Sequence, residues 1–286
     1  MDMGAVIAAL NANQLSAYTS FVGQLAQPSL LLTATPTDDS AIALGASRLG
    51  GLPDLPPGRA WPQMNGAPMS FLGQIRLQDA HGLDGGAVLP ASGLLSFFYD
   101  ASQQTYGSDP NDRAGLSVLY FDEAALASLT YGSAWPAGLP VSAQFKPASV
   151  TFTPTLTYAQ DLQAEFPGRQ IAPQDQEHFE AALANLAPAP GTAPRHRLLG
   201  HPDTIQDDMR QQVQFAAHGL ADPASDPATA EALTATANEW RLLLQVDSDD
   251  RLGMRWGSAG MLYIWIRQQD LASGNFNACW PVLQSD

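Results

Sequence analysis

Lysine is nearly absent from this chain. Lys146 is the single one among 13 basic residues, which face 28 acidic residues over 286 positions for a formal net charge of -15. A groove for a polyanion requires clustered Lys or Arg, and here the first basic residue is Arg48 and the rest are scattered, so nucleic acid is not an expected partner. One lysine without a G-x-x-x-x-G-K-[ST] segment likewise speaks against a phosphate-loop enzyme. Cysteine occurs once, at Cys279, which leaves no internal disulfide; no N-x-S/T sequon is present, and together these suit a reducing cytoplasm. No stretch approaches the roughly 20 apolar residues of a membrane span. The opening "MDMGAVIAALNANQL" lacks a basic n-region and carries Asp2, so it reads as an amphipathic helix and not as a signal sequence. G-x-S-x-G, H-E-x-x-H and C-x-x-C are missing as well. An enzyme assembled from distant segments stays open, because such a site leaves no local motif.

What the chain does have is a core. Hydrophobic residues make up 45% and charged residues only 14%, which is a globular composition, and 22 prolines with 24 glycines mark many turns. Residues 3 to about 26 read as a helix and Ser29–Thr35 as a strand ended by Pro36. Four prolines between Pro53 and Pro62 enforce an extended crossing segment with Trp61 as its anchor. Strands are expected at Met69–Leu77, within Leu89–Asp100, at Ala114–Asp122 and at Lys146–Tyr158, the last with an edge or bulge at Pro154. A helix at Pro173–Leu186 precedes "APAPGTAP" (Ala187–Pro194), the best linker candidate. Asp203–Gly219 reads as a helix capped by Asp203 or Thr204, with Asp207 and Asp208 in its first turn and a buried stripe of Ile205, Met209 and Val213. A second helix begins at Asp226 and Pro227, and strands follow at Trp240–Ser248, Gly260–Ile266 and Ala278–Gln284, with a helical turn after Asp270.

One heptapeptide is written twice. "RLGGLPD" (Arg48–Asp54) and "RLLGHPD" (Arg197–Asp203) each precede an apolar strand carrying a glutamine, "FLGQI" with Gln74 and "LLLQV" with Gln245. Each glutamine strand is then followed by a Gly-led apolar strand, "GLLSFFYD" or "GMLYIWI". The preserved order predicts two diverged copies of one unit paired about a pseudo-twofold axis, with residues 48–100 and 197–266 superposing. The implied organisation is an N-terminal helix at 1–29, a first repeat at 30–160, a helix and Pro-rich linker at 161–194, and a second repeat at 195–286. The fold class is α+β, an antiparallel or mixed sheet of two repeats with peripheral helices.

Gly-Gly-x-Pro before Trp-Pro, "FLGQI", "LPxxGLLxFFYD", "LLGHPDxIQ", "WRLLLQVDSD", "WG" and "GMLYIWI" before "DL" form an ordered series from about Gly45 to Gln284. That series resembles the YwqG-like family of unknown function. The resemblance implies a bacterial α+β protein with no agreed activity, and, through members encoded near polymorphic-toxin systems, an immunity or interaction role. Where that family usually carries Trp-Gly-Asp this chain has Trp256-Gly257-Ser258, so a ligand carboxylate at that place is not available.

Several polar residues compete for a role. Gln74 and Gln245, in mid-strand, either tie neighbouring backbone into the core or meet a ligand near the pseudo-axis, and Arg48 and Arg197, which open the two heptapeptides, are further candidates. His201 and Asp203 flank a rigid proline, where His201 reads as a cap, a general base or a ligand contact. Asp247, Asp249 and Asp250 fail the EF-hand pattern, since Arg251 and Leu252 stand at its fifth and sixth places, and read as a charged hairpin turn. Trp61 and Trp256 line either the core or an aromatic site. The candidate contacts are therefore Arg48, Trp61, Gln74, Arg197, His201, Asp203, Asp207, Asp208, Gln245, Asp247 and Trp256. No catalytic residue, metal or cofactor is expected. The functional expectation is a non-enzymatic cytoplasmic protein that holds a basic partner such as a toxin, the alternative being a small-molecule binder or enzyme that uses the cleft between the repeats.

Overall fold

A computed structural model describes residues 2–166, 169–186 and 193–285. Its strands are β1 (Ala26–Pro36), β2 (Arg48–Leu49), β3 (Gln63–Met64), β4 (Ala67–Pro68), β5 (Ser70–Arg76), β6 (Leu94–Tyr99), β7 (Leu116–Phe121), β8 (Ala148–Tyr158), β9 (His196–Leu198), β10 (Trp240–Asp247), β11 (Met261–Arg267) and β12 (Trp280–Gln284). Its helices are α1 (Met3–Ala12), α2 (Val22–Leu25), α3 (Leu77–His81), α4 (Glu123–Leu126), α5 (Leu162–Glu165), α6 (Pro173–Leu186), α7 (Arg210–Ala217), α8 (Pro227–Thr234) and α9 (Gln268–Ser273).

Ten strands form one antiparallel sheet in the order β12-β11-β10-β9-β1-β8-β2-β5-β6-β7, and β3 and β4 make a separate hairpin. The long pair β1–β8 lies at its centre, in register from Ala26 opposite Tyr158 to Pro36 opposite Ala148. Each side then opens with the short strand of a heptapeptide, β2 against β8 and β9 against β1, and continues outward through three further strands. Pairing within the two wings follows the same scheme. Arg48 lies opposite Gln74 and Arg197 opposite Gln245, while register shifts fall between Phe71 and Gly73 and between Leu242 and Leu244.

Alternation along the strands divides the core. In β11, Leu262, Ile264 and Ile266 join Leu30, Phe97, Tyr99, Phe145 and Trp256 in one central cluster. Met261, Tyr263 and Trp265 point the other way and are covered by Met209 and Val213. The first wing repeats the pattern: Leu94 and Phe98 pack with Phe71, Leu119 and the half-buried Trp61. Period two with both faces apolar is what a sheet covered on both sides requires. A fourth cluster, with Val6, Leu10, Leu25, Leu162 and Phe179, seats the N-terminal helices and α6 on the ends of β1 and β8.

The two outer wings are also joined to each other. Trp280 Nε1 donates to Gly107 O at 2.9 Å and Leu283 N to Tyr106 O at 3.4 Å, so the loop ahead of β7 closes onto β12 and the sheet is nearly closed. Gly107 has φ +91°, and a Cβ there would lie 2.3 Å from Pro281 O, so the closure needs glycine.

Three expectations are corrected. The helix over 3–26 is broken into α1, a 3-10 turn at Ser16–Phe21 and α2, because Gln14 takes φ 63° and Asn13 caps α1 on Ala9 O. The helix expected over Asp203–Gly219 begins only at Arg210: Asp203 is bound by Arg197 and Gln245, so it caps nothing, and Ile205, Asp207 and Asp208 lie in a loop. Its end is as expected, with Gly219 at φ 80°. Pro154 lies in a central strand, but β2 covers β8 only at Ala148 and Ser149, so the proline sits where that side of β8 carries no ladder among the described residues. The linker Ala187–Pro194 lies for the most part outside the described residues, and no described helix is long and apolar enough to cross a membrane.

Candidate functional site

Each heptapeptide builds a bracket. In the first wing, Gln74 Oε1 accepts from Asp54 N at 3.0 Å, and Gln74 Nε2 donates to Asp54 Oδ2 at 2.7 Å and Ala46 O at 2.9 Å. Arg48 reaches Asp54 at 3.2 Å, Asp39 at 3.0 Å and Leu52 O at 3.1 Å. In the second wing, Gln245 Oε1 accepts from Asp203 N at 2.9 Å, and Gln245 Nε2 donates to Asp203 Oδ2 at 3.1 Å and Arg195 O at 2.7 Å. Arg197 pairs with Asp203 and donates to His201 O at 3.3 Å. A mid-strand amide is costly unless every donor and acceptor is met, and here all are. Gln74, Gln245 and Asp54 are 0% exposed. These glutamines therefore tie the turn to the sheet, the structural reading of the two offered by the sequence.

The turn between Arg and Asp is left-handed in both wings, at Gly50 (φ 60°) and Gly51 (69°), and at Leu199 (62°) and Gly200 (77°). Gly50 is obligatory, since a Cβ would lie 2.2 Å from Lys146 O.

Beyond the second bracket the chain opens into an acidic cleft of about 250 Å³, lined by Gln160, Asp161, Glu165, His201, Pro202, Thr204, Gln206, Asp207, Asp208 and Arg210. Four carboxylates there face one guanidinium. Arg210 is bound by Glu165 at 2.8 Å and Asp208 at 2.9 Å, and although burial lowers its pKa, those carboxylates raise it above the ordinary value. Asp161 caps α5 through Gln163 N, and neither Asp161 nor Asp207 is ion-paired among the described residues.

His201 faces this cluster from within. Its Nε2 lies 2.8 Å from Gln24 O, which places the proton on Nε2, and Nδ1 lies 3.6 Å from Glu165. Burial holds its pKa below the ordinary value and Arg210 adds to this, while Glu165 opposes. A folded value below the unfolded one of about 6.5 means that the unfolded chain binds more protons between them. Stability from His201 is thus fully present above about pH 6.5 and lost as pH falls through the folded value. Asp249 acts at lower pH: burial raises its carboxyl, but the His196 ring at 3.6 Å and Arg251 at 2.6 Å outweigh burial and hold it well below the carboxylate range. Its contribution is lost below about pH 4. Melting temperature should fall as pH drops below about 6.5, and His201→Gln should flatten that step. A step of unchanged size in the variant would assign it elsewhere.

The remaining candidates scatter. Trp61 is half-buried on the outer face of the first wing, donates to Met69 O, and meets Phe98 and Trp135 edge-on. Trp256 is 0% exposed between Tyr99 and Phe145. Asp247 accepts from Arg195 N and Ser248 N, and the acidic run after it is a hairpin turn closed by Asp249 on Met254. No group of three or more His, Cys, Asp or Glu among the described residues is placed to hold a metal ion. Thus His201, Asp207 and Asp208 meet in the cleft, with Asp203 and Arg197 behind them, and Arg48, Gln74, Trp61, Asp247 and Trp256 lie outside it.

Sequence reasoning missed Asp54, although the repeated seventh position of the heptapeptide marks it. It also missed Glu165 and Arg210, which carry no local signal and meet only through the fold.

No curated protein matches this chain. Both brackets, the central β8 and the closing strand β12 lie within residues 47–284, which match the family model described as a domain of unknown function, DUF1963, and the chain belongs to that family.

Proposed function

We propose that this chain is a non-enzymatic binding protein of the YwqG-like branch of its family, formed by two diverged copies of one unit, that holds a basic protein over the acidic cleft. Duplication is supported by the paired registers at Gln74 and Gln245, the two left-handed turns and the two bulges. On this reading the copies are residues 30–160 and 195–286, with the N-terminal helices and the 161–194 segment outside them. The observation that carries the binding role is the charge of the cleft. Glu165 and Asp208 share the single charge of Arg210, and Asp161 and Asp207 present carboxylates that no cation among the described residues pairs. Lys and Arg side chains of a partner complement them, and an immunity-type role in a bacterial cytoplasm, with a basic toxin as partner, fits a net charge of -15.

Asp207 is exposed, so Asp207→Asn should change stability by about 0.5 kcal/mol or less. Association should slow in that variant, and in the unaltered protein as salt rises, with dissociation less affected. Stopped-flow association with the purified partner at two ionic strengths measures both. Asp208→Asn is the contrasting substitution, because it also removes one of the two carboxylates that hold Arg210 and should lower the melting temperature. An enzyme would show turnover that vanishes in His201→Ala with no protein partner recovered, and that result would remove the binding role.

A further inference from the structure

A second concavity, of about 530 Å³, lies where the first wing, β1 and the second wing meet. Pro28, Val88, Leu199, Leu242 and Leu271 line it, and Val88 is 58% exposed. An apolar groove of this volume suits the body of a small ligand. Arg241 lines the same groove, and its acceptors are all neutral: Asn238 O at 2.5 Å, Trp240 O at 3.4 Å and Gln268 Oε1 at 3.1 Å. No carboxylate lies within ion-pair distance of it among the described residues. Arg59, Arg113, Arg169 and Arg267 likewise make no ion pair among the described residues, and Arg241 is the one of these five that lines this apolar groove. Burial, reinforced by the nearby Arg210 cation, lowers its pKa, with Glu165 and Glu239 opposing, so an added anion would relieve the field there.

We propose that this groove binds a small amphipathic carboxylate, an acyl anion of medium chain length, with its carboxylate on Arg241 and its chain along Pro28, Val88, Leu199 and Leu271. The planar guanidinium fork matches a carboxylate, and the apolar lining takes the chain. Neither half of the groove alone selects this ligand: a neutral alcohol leaves the guanidinium unpaired, and an alkylammonium is repelled by it. The site is separate from the acidic cleft, and its ligand carries the opposite charge to the basic partner proposed there.

The test is calorimetric titration of the full chain with decanoate, decan-1-ol and decylammonium, each below its micellar concentration. Decanoate should bind saturably at one per chain, at least about tenfold more tightly than decan-1-ol, with no saturable binding of decylammonium. Arg241→Gln should bring decanoate to the level of the alcohol, and Arg241→Lys should retain part of the preference. Val88→Glu, at an exposed position that leaves the fold intact, should weaken decanoate and decan-1-ol together. If Arg241→Gln does not fold, Arg241→Lys and Val88→Glu carry the comparison. Equal binding of decanoate and decan-1-ol by the unaltered protein, binding that does not saturate, or an undiminished preference in Arg241→Gln would overturn the proposal.

Discussion

Asp54→Ala should destabilise the protein by about 3–5 kcal/mol, the range for breaking a buried ion pair from one side. The side chains of Arg48 and Asp54 are 1% and 0% exposed, so water cannot replace the lost carboxylate. Gln74 Nε2 loses one of its two acceptors and Gly45 N its side-chain acceptor in the same step, and the half-open Asp39 is the one carboxylate still bound to the guanidinium. Asp203→Ala removes the matching group of the second wing and should cost less. Asp203 is 18% exposed and also lies 3.4 Å from Arg195, which is 38% exposed, so its partners are less completely shut off from water than Arg48 is. Urea unfolding of the two variants gives the comparison. Replacing the whole ion pair, Arg48→Met with Asp54→Leu, should recover part of the loss, because an apolar pair leaves no buried charge. A loss below about 1 kcal/mol for Asp54→Ala would show that the bracket does not hold the turn.

Arg210→Leu should have an effect of the same size and an unusual pH dependence. Glu165 is 3% exposed, and the substitution strips it of the cation at 2.8 Å. At about pH 7 the uncompensated carboxylate should cost about 3–5 kcal/mol. His201 Nδ1 then remains the nearest group able to supply a positive charge, at 3.6 Å. Arg210 lowers the His201 pKa in the unaltered protein, so its removal raises it, and protonation on acidification forms a buried His–Glu pair. A folded value brought closer to the unfolded one means that less stability is lost as pH falls. As pH falls below about 6.5 the variant should therefore lose less melting temperature than the unaltered protein does. Parallel curves would place His201 outside this electrostatic unit.

The strands were legible because both faces of the sheet are covered, so near-continuous apolar runs such as "LLSFFY" and "MLYIWI" have no other reading at that length. The repeated Arg and Gln were legible as motifs, but their pairing was not, since it rests on one ladder position, Arg48 opposite Gln74 and Arg197 opposite Gln245. Helix starts were less legible. Asp203, Asp207 and Asp208 carry every local sign of a helix N-terminus, but Arg197 of the same heptapeptide and Gln245 of a distant strand hold the Asp203 carboxylate more strongly than a cap would. Asp208 does serve α7, accepting from Arg210 N at 2.9 Å, so the signal was real and displaced by several residues. The floor of the cleft was not legible at all. Glu165 ends a short helix and Arg210 begins another, and nothing in either segment announces the other. Arg241 escaped as well, since it sits at an ordinary strand position and only the apolar groove it lines distinguishes it.

The most direct measurement is capture from native lysate on the unaltered protein and on Asp207→Asn, at low and at physiological salt. Binding through the acidic cleft predicts a basic protein retained by the unaltered chain, lost in large part on Asp207→Asn and released as salt rises. Retention of the same protein to equal extent on both baits at both salts, or capture of an acidic protein alone, would contradict it.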